Sequence, residues 1–146
     1  MDLKAQASIE MVALLAGALI IMLGALTLLP QQYAGITLEA GRQAAQDTAE
    51  RIVDASDEVY LAGDGAQKSF WVELPYGFDI NRSFIGNMPG ATSSRNSTVG
   101  LYVLGIGYVI SEGKAQMCGT LPNQSGRYLI RAIYNSSGHV MVNSTC

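Results

Sequence analysis

One histidine, one tryptophan and two cysteines in 146 residues leave little with which to build a reactive centre. His139 has no second imidazole beside which to ligate a metal, and Cys118, Cys146 and His139 together match no zinc-ligand spacing. No metal and no cofactor is expected. Charge is scarce as well, at 14% of residues against the roughly 25% of an ordinary soluble domain. Nine Lys and Arg stand against 12 Asp and Glu, for a net charge of −3, and no basic cluster exists that could track a phosphate backbone. Nucleic acid is therefore excluded as a partner. Gly100, Gly105 and Gly107 crowd one stretch without a following helix to complete a phosphate cradle, so bulges or bends suit them better. Asp54, Asp57 and Glu58 read as a solvated helical face with no calcium-loop spacing. With no clustered nucleophile, base or ligand set, the chain is not expected to be an enzyme.

The missing charge is a local effect. Met11 to Leu29 is a run of 19 residues without one ionisable side chain. As a helix it would rise about 28 Å, close to the roughly 30 Å hydrocarbon thickness of a bilayer. The segment can span a membrane. Ahead of it lies the polar stretch Met1 to Ala5, whose Lys4 favours the cytoplasmic side while Asp2 weakens that signal. A conventional secretory signal fits poorly, because the apolar run is too long and no small-x-small cleavage site follows Pro30.

Beyond Pro30 the helical period continues with a different composition. At 100° per residue, Gly41, Ala44, Ala45, Thr48, Ile52, Ala55 and Val59 fall on one stripe, and Glu39, Gln43, Asp47, Glu50, Asp54, Asp57 and Glu58 on the opposite side. Asp47 and Arg51 stand at the favourable i, i+4 spacing, Pro30 is expected to kink the helix, and Gly63 and Gly65 mark its stop. One helix over about residues 6–62 would be roughly 80 Å long, apolar over 6–30 and amphipathic over 31–62. No monomer can bury the first part, which needs lipid or neighbouring copies around it.

After Gly65 the period switches to two. Lys68–Leu74, Asp79–Ile85, Val99–Ile110, Arg127–Tyr134 and His139–Val142 are rich in β-branched and aromatic residues and are separated by Gly, Pro, Asn and Ser. They predict antiparallel strands in a small β-domain over residues 66–146, either a sandwich or a curved sheet partly covered by the amphipathic helix. The fold class is therefore α+β. Ala91–Thr98 reads as a loop, and Trp71, Phe70 and the tyrosines read mostly as core or strand residues.

Two features suggest exposure outside the cell. Cys118 and Cys146 are placed to form a disulfide that would contribute roughly 3 to 4 kcal/mol; two free buried thiols are the alternative. Five of the six asparagines, Asn81, Asn96, Asn123, Asn135 and Asn143, begin an N-x-Ser/Thr triplet, where chance predicts about one, as expected of a glycosylated surface. Polar turns favour the same residues.

The stretch Lys4-Ala-Gln-Ala-Ser-Ile-Glu-Met-Val-Ala-Leu-Leu15 resembles the class III signal peptide of archaeal type IV pilin-like proteins, in which a small residue precedes a Q-x-S-x-E core at the edge of the apolar helix. Gln6, Ser8 and Glu10 supply that core, and the resemblance covers about 25 residues closely. It implies a pilin-like lollipop, cut between Ala5 and Gln6 by a prepilin peptidase and carried by pilus assembly machinery from the membrane into an extracellular, adhesive filament of identical copies. Glu10 would then lie one turn from a new α-ammonium group. A carboxylate in apolar packing costs about 3 kcal/mol, so it would pair with the terminus of a neighbouring subunit and set register; an interfacial charge at headgroup level is the plain alternative. Ala13, Gly17 and Gly24 would let helices approach closely. The same features would also serve a membrane-anchored minor pilin or surface-binding protein, or an archaellum-type subunit.

Overall fold

The computed structural model describes residues 3–87 and 96–143, with the helical backbone alone for residues 3–9 and 28–36. Helix α1 (Leu3–Ala62) is followed by β1 (Gln67–Leu74), β2 (Phe84–Gly86), β3 (Thr98–Val103), β4 (Gly107–Glu112), β5 (Met117–Gly119), β6 (Gly126–Tyr134) and β7 (Val140–Val142). The fold is α+β, with a long N-terminal helix and then a sheet. Two compact units divide the chain, Met1–Thr37 and Leu38–Cys146. The first holds the apolar part of α1. The second holds its remainder and every strand.

Pro30 does not end α1, which continues to Ala62. Gly63 does end it, with a left-handed φ of 94° that a β-carbon would strain and glycine adopts freely. Its N–H donates to the Tyr60 carbonyl at 3.3 Å.

Within the second unit the predicted stripe is the packed face. Ala45, Thr48, Ile52, Ala55 and Val59 are buried, joined by Ala49, Val53 and Ser56, so the covered band is wider than the stripe. Ala45 and Ala49, one turn apart, bring the backbone close to Val72, Leu74, Leu101, Val103, Met117, Ile130, Val140 and Val142 of the sheet, all in one core with Ile52. The two buried hydroxyls of α1 are satisfied. Thr48 donates to the Glu73 carbonyl of β1 at 2.6 Å, and Ser56 donates to the Ile52 carbonyl at 2.7 Å.

Asp57 departs from the expectation of a solvated face. It is partly buried, and its Oδ1 accepts the Lys114 and Ala115 N–H groups, each at 2.8 Å. The carboxylate thereby fastens the β4–β5 loop to α1, satisfying donors that no strand pairs. Ion pairs link Glu58 with Lys68, from α1 to β1, and Asp79 with Arg82.

The strands form one curled mixed sheet in the order β1, β6, β7, β5, β2, β3, β4, not a sandwich. Every pairing is antiparallel except β5 with β7, a parallel pair made possible because residues 120–139, including β6, form the crossover. Val99–Ile110 is two strands rather than one. Leu104, Gly105 and Ile106 turn between them, with φ of 82° at Gly105 and 97° at Gly107, so these glycines make a hairpin. Asp79–Ile85 is strand only at its end. The Asn81 N–H donates to Asp79 Oδ1 at 3.0 Å, an Asx turn that competes with extension. β5, too short to show a period, was not expected.

Two substitutions test this packing. Ile52→Ala should lower the unfolding free energy by about 2 to 5 kcal/mol, as for other large-to-small core changes, in denaturant titration. Asp57→Ala should cost about 1 to 3 kcal/mol by orphaning two N–H groups, whereas Asp54→Ala should stay within about 0.5 kcal/mol. Equal losses for the two aspartates would refute the clamp.

Candidate functional site

The residues with the clearest functional demand lie on the first unit. Ten large apolar side chains from Met11 to Leu26 are 58% to 75% exposed, and the whole of Glu10–Thr27 is long and apolar enough to cross a membrane with none of it buried. Such a surface is unstable in water and needs an apolar surround. Its one hydroxyl is already accommodated, since Thr27 Oγ1 donates to the Gly24 carbonyl at 2.8 Å, a bond that needs neither water nor a second helix. A β-carbon built on Gly17 or Gly24 would meet nothing within 4 Å, and Ala13 is exposed, so no described residue fills the room they leave. Glu10 is exposed at the N-terminal margin of the segment. Ala5, Gln6 and Ser8 are on the α1 backbone, and their side chains lie outside the described residues.

The expected exposed asparagines fall at turns, loops and strand ends of the second unit. Asn81, Asn123 and Asn143 are exposed, while Asn96 and Asn135 are half-buried. Cys118, on β5, is disulfide-bonded, and the other cysteine of the sequence, Cys146, lies outside the described residues. His139 is in the β6–β7 turn, with Nδ1 3.1 Å from the Ser137 carbonyl. Among the described residues, no group of three or more His, Cys, Asp or Glu could hold a metal ion.

Trp71 and several tyrosines are not core residues. Trp71 is 49% exposed and Tyr76 96% exposed. The Arg127 guanidinium lies 4.9 Å over the Trp71 ring, in cation–π geometry. A groove of about 370 Å³ adjoins them, lined also by Ala44, Asp47, Thr48, Arg51 and Glu73. The alternation of β1 contained this signal: Phe70, Val72 and Leu74 point inward, which leaves Trp71 outward. On the β3–β4 side, Tyr108 stacks edge-on to Tyr102 at 5.0 Å, and Arg82 lies 4.7 Å over Tyr102. Phe84 lies where a β-carbon on Gly100 would be, so that glycine makes space for the ring.

No family model, curated protein or solved structure matches this chain.

The apolar segment makes a measurable prediction. Leu19→Lys should raise the cost of entering a bilayer by about 3 kcal/mol, roughly a 100-fold loss of partition into lipid vesicles. Leu61→Lys, on the second unit, should leave partition unchanged. Matching losses for both would show that the Met11–Leu26 surface is not what enters lipid.

Proposed function

We propose that the chain is a structural subunit of an extracellular type IV pilus-like filament, held in the membrane by α1 before assembly and bundled through the same helix afterwards. The observation that carries this reading is the exposed Met11–Leu26 surface in a chain whose second unit has a core of its own. Full burial of one large apolar side chain contributes about 1.5 to 3 kcal/mol. Ten of them outweigh the roughly 3 kcal/mol needed to place one carboxylate in the same apolar surround. Cohesion therefore comes from the apolar residues and register from Glu10, which pairs with the α-ammonium of Gln6 on a neighbouring copy once a prepilin peptidase has cut after Ala5. Ala13, Gly17 and Gly24 set how closely the helices approach. Adhesion falls to the sheet-bearing unit, and the proposal involves no catalysis.

A second reading, a membrane-anchored surface-binding protein, is favoured by the half-exposed Trp71 in its groove. Sheared surface fibres separate the two: a filament subunit is abundant in them with Gln6 as its first residue, whereas an anchored binder stays with the membranes.

Glu10→Gln should abolish fibres while leaving the chain in the membrane fraction at wild-type levels, as read by immunoblot of sheared and membrane fractions. Normal fibres from that variant would remove the pairing.

A further inference from the structure

The five N-x-Ser/Thr triplets are alike in sequence and unlike in what the folded chain leaves free. A glycan joins the asparagine Nδ2, and the triplet is defined by the hydroxyl two residues on, so both groups must be reachable together.

Although Ser137 is exposed, the amide of Asn135 is already engaged. Its Oδ1 accepts the Ser137 N–H at 3.0 Å and the Ser136 hydroxyl at 3.1 Å, while Nδ2 is turned toward Met141 Sδ at 4.0 Å. The Asn135 N–H donates to the His139 carbonyl and Gly138 N–H to the Asn135 carbonyl, so this side chain is the inner brace of the β6–β7 turn. At Asn81 the amide is exposed, but the Ser83 hydroxyl is committed twice: it donates to the Asp79 carbonyl at 2.7 Å and accepts the Tyr102 N–H at 2.9 Å. Asn96 is half-buried, and its triplet ends at Thr98, which is held in β3 between Gly86 and Glu112. Asn143 has a left-handed φ of 63°, its Nδ2 donates to the Thr120 carbonyl at 3.4 Å, and the rest of its triplet lies outside the described residues.

Asn123 differs from all of these. Asn123, Gln124 and Ser125 are each exposed in the loop between β5 and β6, with the loop's base anchored by buried Leu121. A bulky polar group there displaces nothing from the core.

We propose that Asn123 is the triplet glycosylated on the folded domain and that Asn135 stays bare. This rests on the reading that residues 66–146 face outside the cell. The donor is a sugar activated as a lipid-linked phosphate ester, and a transferase brings it to the loop. Asn123 Nδ2 attacks the anomeric carbon, the carbon–oxygen bond to phosphate breaks with its electron pair leaving on the phosphate, and the amide proton passes to a base of the transferase. No oxidation or reduction is involved.

Glycopeptide mass spectrometry of the chain from the surface and membrane fractions of its own cells tests this. The Asn123 peptide should carry a glycan that the Asn123→Gln variant lacks, and the Asn135 peptide should carry none. Thermal unfolding supplies the structural arm: Asn135→Gln should lower the midpoint, and Asn123→Gln should not. A bare Asn123, or Asn135 occupied as fully as Asn123, overturns the assignment. Fibres whose subunits carry no glycan would overturn it and leave the filament reading intact. A glycan on Asn123 of a chain that never enters fibres would support it and count against the filament.

Discussion

Water is a poor solvent for the Met11–Leu26 face of α1, whose large side chains are exposed. Ten large side chains at about 1.5 to 3 kcal/mol each represent more free energy than the 5 to 15 kcal/mol by which a typical domain is stable. A soluble monomer would have to leave all of that unrealised. Lipid and a bundle of like helices both realise it, and a helix can pass between them because its backbone hydrogen bonds are internal in either surround.

The proposed passage would require the rest of the protein to keep its fold without help from the apolar segment. The second unit meets the requirement with its own core. Its stretch of α1 supplies Ala45, Ala49, Ile52 and Val59 to the sheet, and polar links reinforce the apolar contact. Thr48 bonds to β1 and Asp57 to the β4–β5 loop, each satisfying backbone groups that the ladders leave over. The helix is thus continuous in sequence but divided in duty. Its first part is uncovered, and its second part is the hydrophobic base on which the strands pack.

The outer surface of the sheet is equally differentiated. One side carries Trp71 under Arg127 beside a polar groove. The other carries Tyr102 and Tyr108 with Arg82, backed by the buried Phe84. In each patch a guanidinium lies over an aromatic ring, and the β5–β6 loop is exposed at Asn123, Gln124 and Ser125.

Much of this was legible from composition and period alone. The apolar run, the stripe from Gly41 to Val59, the glycine stop and three of the strands follow from local spacing, because burial along a regular element repeats with that element's own period. Asp57 shows where such reasoning ends: its spacing places it among solvated carboxylates, and only the approach of Lys114 and Ala115, distant in sequence, turns it into an anchor. The same holds for the β3–β4 hairpin, hidden inside an unbroken apolar run, and for β5, whose three residues carry no period and pair in parallel with β7 only because β6 lies beyond. The triplets make the point most simply. Their number was a property of the chain, but which hydroxyls are already bonded is a property of neighbours that tertiary folding brings together, since a hydrogen bond between distant residues leaves no mark on the sequence around either one.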